Sequence, residues 1–188
     1  QEKKLQKDIT RIPYLIHFTK IVLDTGSFLF LQEQQKEGLV EKELEKDMRK
    51  SLLAIYSSIS SNGEKMETFE PKPFEKEMTF LKSMGEHNEI PHFLNKDDFD
   101  YYLNEFTRGG MRGPINWYRN IDRNWEMTKD THDKKISPLS CFIVGEDDPV
   151  AKWTLINPSL HENLVSSHTI KSAGHWVQQE KPEEVNKL

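Results

Sequence analysis

Cysteine is almost absent: Cys141 is the only one in 188 residues. An internal disulfide framework is therefore excluded, a reducing compartment is permitted, and a cytoplasmic placement is the expectation. No apolar run approaches the ~20 residues of a membrane span. The start, Gln1-Glu2-Lys3-Lys4, has no apolar core behind it, so it is no signal peptide. A basic stripe is also lacking. Formal net charge is -5 with both signs interspersed, which speaks against nucleic acid as a partner. Apolar residues make up only 35%, polar for a globular chain. Such a chain either carries a large solvated helical surface or belongs to a larger core. The length suffices for one domain with a modest core. Both ends read as cut. The first residue is Gln rather than Met, and the last falls about one turn after Val185, in a helical stretch without a Gly or Asn cap.

Residues Lys4 to Leu23 read as a mixed helix that Pro13 interrupts or restarts. A core or partner-facing helix is the simpler reading, and an interfacial membrane helix is the alternative. After Gly38, the residues Val40, Leu44, Met48, Leu52 and Ile55 recur at helical spacing, predicting one helix from about Leu39 to Tyr56. Glu45 and Arg49 form an i,i+4 pair on it, and its charges read as a solvated face. Ser57 to Lys76 reads as a long loop, followed by a short helix around Glu75 to Ser83. Asn95 is a good N-cap with Asp97 and Asp98 in the first turn. Phe99, Tyr102, Leu103 and Phe106 then face one way. Gly109-Gly110 ends that helix, and Pro114 suits the first turn of the next. Trp117, Tyr118, Ile121 and Trp125 mark the inner face of this next helix.

The pattern changes at Leu139. Leu139 to Val144 is a short, near-continuous apolar run, as expected of a buried parallel strand. Pro158 to Asn163 permits a helix, Val165 to Ile170 is a second β-like run, Gly174-His175 is a turn, and Pro182 to Leu188 reads as a helix. Helices followed by strand, helix, strand and helix predict an α/β protein with a parallel sheet. There is no internal repeat.

Ligands of open α/β sheets bind at the carboxyl ends of strands. Asp148 and His175 each lie just past such an end. A carboxylate can hold an imidazole in one tautomer and stabilise its charged form. Singly, Asp148 reads as well as a loop cap, and His175 as a structural hydrogen-bonding group. His161, His168 and His175 are seven residues apart, which is no metal-ligand spacing on one helix or strand, so no metal is expected. Cys141, inside a strand-like run, reads as a small core residue rather than a nucleophile. Trp117 and Trp176 could wall an apolar pocket, and packing explains them equally well.

Three segments together resemble the soluble-type epoxide hydrolases of the α/β-hydrolase superfamily. They are Arg112-Gly113-Pro114-Ile115-Asn116-Trp117-Tyr118-Arg119-Asn120, Phe142 to Val150, and Ser172 to Asn186. Gly38 to Glu45 also resembles the start of that family's lid. The resemblance runs from Phe28 to Leu188, loosely between Ser57 and Phe93, and residues 1–27 match poorly. It implies that Gly145-Glu146-Asp147-Asp148 is the turn carrying the acid of the triad, Asp148, with Asp147 as second choice. It implies that Gly174-His175-Trp176, followed by Gln178-Gln179-Glu180-Lys181-Pro182, carries the base, His175. Tyr118 would donate a hydrogen bond to the epoxide oxygen, although spacing alone reads it as a core aromatic. In the family mechanism an Asp attacks an epoxide carbon and forms an alkyl ester. The His–Asp pair activates water to hydrolyse that ester to a diol, while two lid tyrosines stabilise the oxygen. No cofactor is implied.

Two departures stand out. The family nucleophile lies upstream of the lid in an Asp-Trp-Gly turn, preceded by a His-Gly-x-Pro loop. Neither motif occurs here, nor does Gly-x-Ser-x-Gly. The first lid tyrosine falls on Phe30, which cannot donate a hydrogen bond. Losing one such donor costs ~10²–10³ in rate.

The expectation is thus an incomplete α/β-hydrolase fold: a helical lid, then the last two strand-helix units of the parallel sheet. Residues 1–27 form an uncertain helical segment, 28–135 the lid, and 136–188 the C-terminal part of the core. The expected activity is epoxide hydrolysis to a vicinal diol, with Asp148, His175 and Tyr118 catalytic and Trp117, Trp176 and Phe30 lining the substrate. The partners would be a small-molecule epoxide and the missing N-terminal core, without which the chain is expected to be inactive. The alternatives are another lidded α/β-hydrolase, such as a dehalogenase or an esterase, or an inactive truncated binding module.

Overall fold

The computed structural model describes residues 37–61, 79–131, 134–149, 151 and 160–188. The expected helix at Lys4 to Leu23, Phe30 and most of the loop from Ser57 to Lys76 lie outside the described residues.

The predicted helix from Leu39 to Tyr56 is two helices, α1 (Leu39–Leu44) and α2 (Met48–Ser58), joined by a 3-10 turn at Glu45–Asp47. Asp47 breaks it. Its backbone leaves the helical region (φ -145°, ψ 89°), and its side chain accepts the Lys50 N–H at 3.0 Å as an N-cap. The Ser51 hydroxyl donates to the carbonyls of Leu44 (2.7 Å) and Asp47 (3.0 Å), groups that a break would otherwise strand. The apolar stripe survives the break, since Val40, Leu44, Met48 and Leu52 are all buried.

Most of the charges do form the expected solvated face, since Lys42, Glu45, Lys46, Asp47, Arg49 and Lys50 are exposed, but Glu41 is buried, Glu43 is half-buried, and the Glu45–Arg49 pair does not form. Glu45 instead accepts the Met111 N–H at 2.8 Å, and the Arg49 guanidinium lies 5.1 Å from the centroid of the Phe99 ring. Glu43 accepts the Leu81 N–H (2.9 Å) at the start of α3 (Phe80–Met84). Glu41 accepts the Gly38 N–H (3.0 Å) and pairs with Arg119 (2.5 Å). These three carboxylates tie α1 to segments far along the chain.

Helix α4 (Lys96–Gly109) follows its sequence signals. Asn95 accepts the Asp98 N–H at 2.8 Å, Phe99 is fully buried, and Gly110 at φ 71° stops the helix. Pro114 does sit in the first turn of α5 (Arg112–Arg119). The inner face of α5 is not the expected one. Met111 and Ile115 are buried, whereas Trp117 is 79% and Tyr118 47% exposed. At 3.6 residues per turn, Trp117 projects about 200° around the helix from Ile115. Helix α6 (Ile121–Met127) follows Asn120. Val40, Leu44, Met48, Leu52, Leu53, Phe99, Met111 and Ile115 form one core between these helices.

Strands β1 (Ser140–Gly145) and β2 (Leu164–Ile170) pair in parallel, with Gly145 opposite Ile170. Among the described residues no third strand adjoins them, and β1 is only partly buried. Cys141 is therefore exposed rather than a core residue, and its sulfur accepts from the Ser166 hydroxyl at 3.1 Å. Of the stretch from Pro158 to Asn163 read as permitting a helix, Leu160 lies in a 3-10 turn and Glu162 and Asn163 are not helical. His161 forms a parallel bridge with Ile136, with Ile136 N–H to Leu160 O at 2.7 Å and Glu162 N–H to Ile136 O at 3.0 Å. After the Gly174-His175 turn comes α7 (Val177–Glu180), a short helix not expected from the sequence, and then α8 (Pro182–Val185), which starts at Pro182 as expected and ends three residues short of Leu188. Pro182 lacks an N–H and pushes Lys181 out of the helical region, so α7 stops and α8 begins there.

Candidate active site

Two glycines decide how the strand ends meet. A Cβ on Gly145 would stand 2.2 Å from the Gly174 carbonyl oxygen and 2.3 Å from that of Ala173. One on Gly174 would stand 2.6 Å from backbone atoms of Ile59, Ser60 and Ser61. No side chain fits at either place, so glycine lets the β1 turn, the β2 turn and the carboxyl end of α2 touch backbone to backbone. Hydrogen bonds then join the turns. Glu146 N–H reaches Ile170 O, and Asp147 N–H reaches Ala173 O, both at 2.9 Å, while His175 N–H donates to Ile59 O at 2.8 Å.

This contact brings Asp148 to His175. The imidazole Nδ1 donates to the Asp148 carboxylate Oδ1 at 3.1 Å. Asp148 is buried and the ring is half-buried. Asp147, the second choice, is exposed. An acceptor-only carboxylate at Nδ1 sets the tautomer, leaving Nε2 unprotonated and able to take a proton from water.

The other expected site residues are placed differently. Trp176 is half-buried. Its indole N–H donates to Tyr56 O at 3.1 Å, and its ring lies 4.9 Å from the Tyr56 ring. Tyr56 in turn stacks on Tyr102 at 5.6 Å, and burial pushes the Tyr56 hydroxyl pKa up. Trp117 and Tyr118 lie on the exposed side of α5, and no contact joins Trp117 to Trp176 among the described residues. Phe30 lies outside the described residues. His161, His168 and His175 hold no common site, as no metal-ligating group of His, Cys, Asp or Glu occurs among the described residues. None of the described helices is long and apolar enough to cross a membrane.

Sequence reasoning gave no role to Glu180, which is buried under the histidine turn. Its Oε2 accepts the N–H groups of Gly174 and Ser61, both at 3.0 Å, and its Oε1 accepts that of Trp176 at 3.2 Å. The signal was there: Glu180 lies five residues after the histidine, inside the stretch Gln178-Gln179-Glu180-Lys181-Pro182 that carries the resemblance, but that stretch was read only for the histidine.

No family model matches the chain. Epoxide hydrolase A of Mycobacterium tuberculosis is 34% identical over 169 residues, covering 85% of this chain and 50% of that protein. The crystal structure of epoxide hydrolase A from Mycobacterium thermoresistibile superposes with a TM-score of 0.70 at 30% identity, over 84% of this chain and 49% of that one. An epoxide hydrolase from an endophytic Streptomyces gives 0.72 at 30% identity, over 84% and 49%. The chain thus spans about half the length of the relatives it matches. By sequence and by structure, the chain is similar to epoxide hydrolases of the α/β-hydrolase family and matches a C-terminal part of them.

Proposed function

We propose that the chain supplies the lid and the base-bearing end of an enzyme that opens an epoxide to a vicinal diol through an alkyl-enzyme ester. The observation that carries this reading is the 3.1 Å bond between His175 Nδ1 and Asp148. It leaves Nε2 to deprotonate the water that attacks the ester carbonyl, while Asp148 stabilises the imidazolium that results. Residues 28–135 are the lid in this reading, and residues 136–188 the end of the hydrolase core. Tyr118, exposed on α5, donates its phenolic proton's hydrogen bond to the epoxide oxygen as the C–O bond breaks. Trp117 and Trp176 are the substrate-lining candidates, together with Phe30. The attacking carboxylate comes from a core segment that this sequence does not contain, so the chain by itself is inactive. Its lone cysteine suits a cytoplasmic setting.

The test uses the protein that also carries the attacking carboxylate, mixed with a small aryl epoxide. His175→Gln should still form the ester and fail to hydrolyse it, so intact mass spectrometry should find the enzyme heavier by one substrate. Turnover at the wild-type rate without an adduct would overturn the reading.

A further inference from the structure

We propose that Glu180 is a positioning residue for His175: its buried carboxylate clamps the backbone from which the imidazole reaches Asp148. The proposal rests on the reading of His175 as the base. Three successive N–H groups of the turn are all engaged. Gly174 and Trp176 donate to the two oxygens of Glu180, and His175 between them donates to Ile59 O. The same carboxylate takes the Ser61 N–H, so it joins the turn to the chain just beyond α2. Glu180 is 8% exposed. A carboxylate offers about four acceptor positions, enough for these three donors, and a charged acceptor makes the stronger bond. A backbone held on both sides of one residue leaves its side chain little freedom beyond its own rotamer, which Asp148 then selects.

Turn position matters because a misplacement of ~1 Å can cost ~10²-fold in rate. The effect of removing the clamp should fall on the step that uses His175, ester hydrolysis, and spare ester formation. In the full-length protein, single-turnover kinetics with a small aryl epoxide separates the two. Glu180→Ala should slow ester hydrolysis at least roughly tenfold more than ester formation. Glu180→Gln should recover part of the loss. Its amide oxygen can keep the Ser61 and Gly174 donors, while its NH₂ faces the Trp176 N–H. The His175 Nδ1–H proton resonance should move or broaden in both variants. That signal needs no turnover, so it judges the clamp even if His175→Gln fails to trap an ester and the epoxide reading falls. If Glu180→Ala does not fold, Glu180→Gln decides. Unchanged hydrolysis and an unchanged His175 resonance in Glu180→Gln, with only a lower Tm, would overturn the proposal and leave Glu180 a purely structural group.

Discussion

Gly145 and Gly174 touch backbone to backbone at the carboxyl ends of the two strands, so closely that a Cβ on the first would lie 2.2 Å from the carbonyl oxygen of the second. The Asp148–His175 bond exists because of that approach. Asp148 follows Gly145 by three positions and His175 follows Gly174 directly, and each glycine lets its turn reach the other.

Gly145→Ala and Gly174→Ala should each destabilise the fold, because the obstructing atoms are backbone and cannot swing away. Overpacking of this kind costs about 1–3 kcal/mol, and a domain of this size loses about 2–4 °C of Tm per kcal/mol. Gly113→Ala is the control, with nothing within 4 Å of its Cβ position. Thermal melts showing all three variants alike would refute this account of the turns.

Asp148→Asn should keep the fold and lose the base. An amide at Nδ1 no longer enforces the tautomer or stabilises the imidazolium, and general-base help of this kind contributes roughly 10²–10⁴-fold. Single-turnover measurement should find ester formation near normal and ester hydrolysis slowed by that order. Asp147→Asn, changed at an exposed neighbour, should hydrolyse the ester normally.

Tyr118→Phe should act on the opposite step. Removing one donor to a developing oxyanion costs ~10²–10³-fold, here in ester formation. Tm should hold within about 2 °C, since exposed substitutions change stability by about ±0.5 kcal/mol or less. Equal loss in both steps would argue against Tyr118 as the oxygen's donor.

Glu41→Gln should cost about 1–3 kcal/mol near neutral pH, because Arg119 loses a buried partner. The hydrogen bond from Arg119 holds the Glu41 carboxyl below its ordinary value of 4.5, against the opposing effect of burial. A depressed folded value means that this stabilisation is complete above pH 4.5 and is lost as pH falls through the lower folded value. The Tm gap between wild type and variant should therefore be constant from neutral pH down to about pH 4.5 and narrow below it. A gap unchanged into strong acid would show that the ion pair is not its source.

Local sequence was sufficient for much of this. Asn95 announces α4 because an N-cap acts within its own turn. The near-continuous apolar run from Leu139 to Val144 and the β-like run from Val165 to Ile170 announce β1 and β2, because a short strand is written along a few consecutive residues. Asp148 and His175 each lie just past a strand's carboxyl end, and the resemblance to the Gly-x-x-Asp and Gly-His motifs implied them as partners before their distance was known. Other features depended on segments far apart in the chain. The stripe from Val40 to Ile55 carries no mark of the break at Asp47. Periodicity could not tell that Ile115, and not Trp117, faces the core, because both are apolar and the choice depends on where α1 and α4 lie. Cys141 looked like core because a short apolar run does not reveal how many strands flank it. The resemblance ranked Asp148 above Asp147, and the folded turn places Asp148, not Asp147, against His175. Glu41, Glu43 and Glu45 read as part of a solvated face and Glu180 was given no role, because a carboxylate's distant N–H partners are not visible in sequence. The sequence by itself determined which residues could form the base and its acid. The tertiary structure decided that they meet, because the contact is made by backbone atoms of three separate segments that only folding brings together.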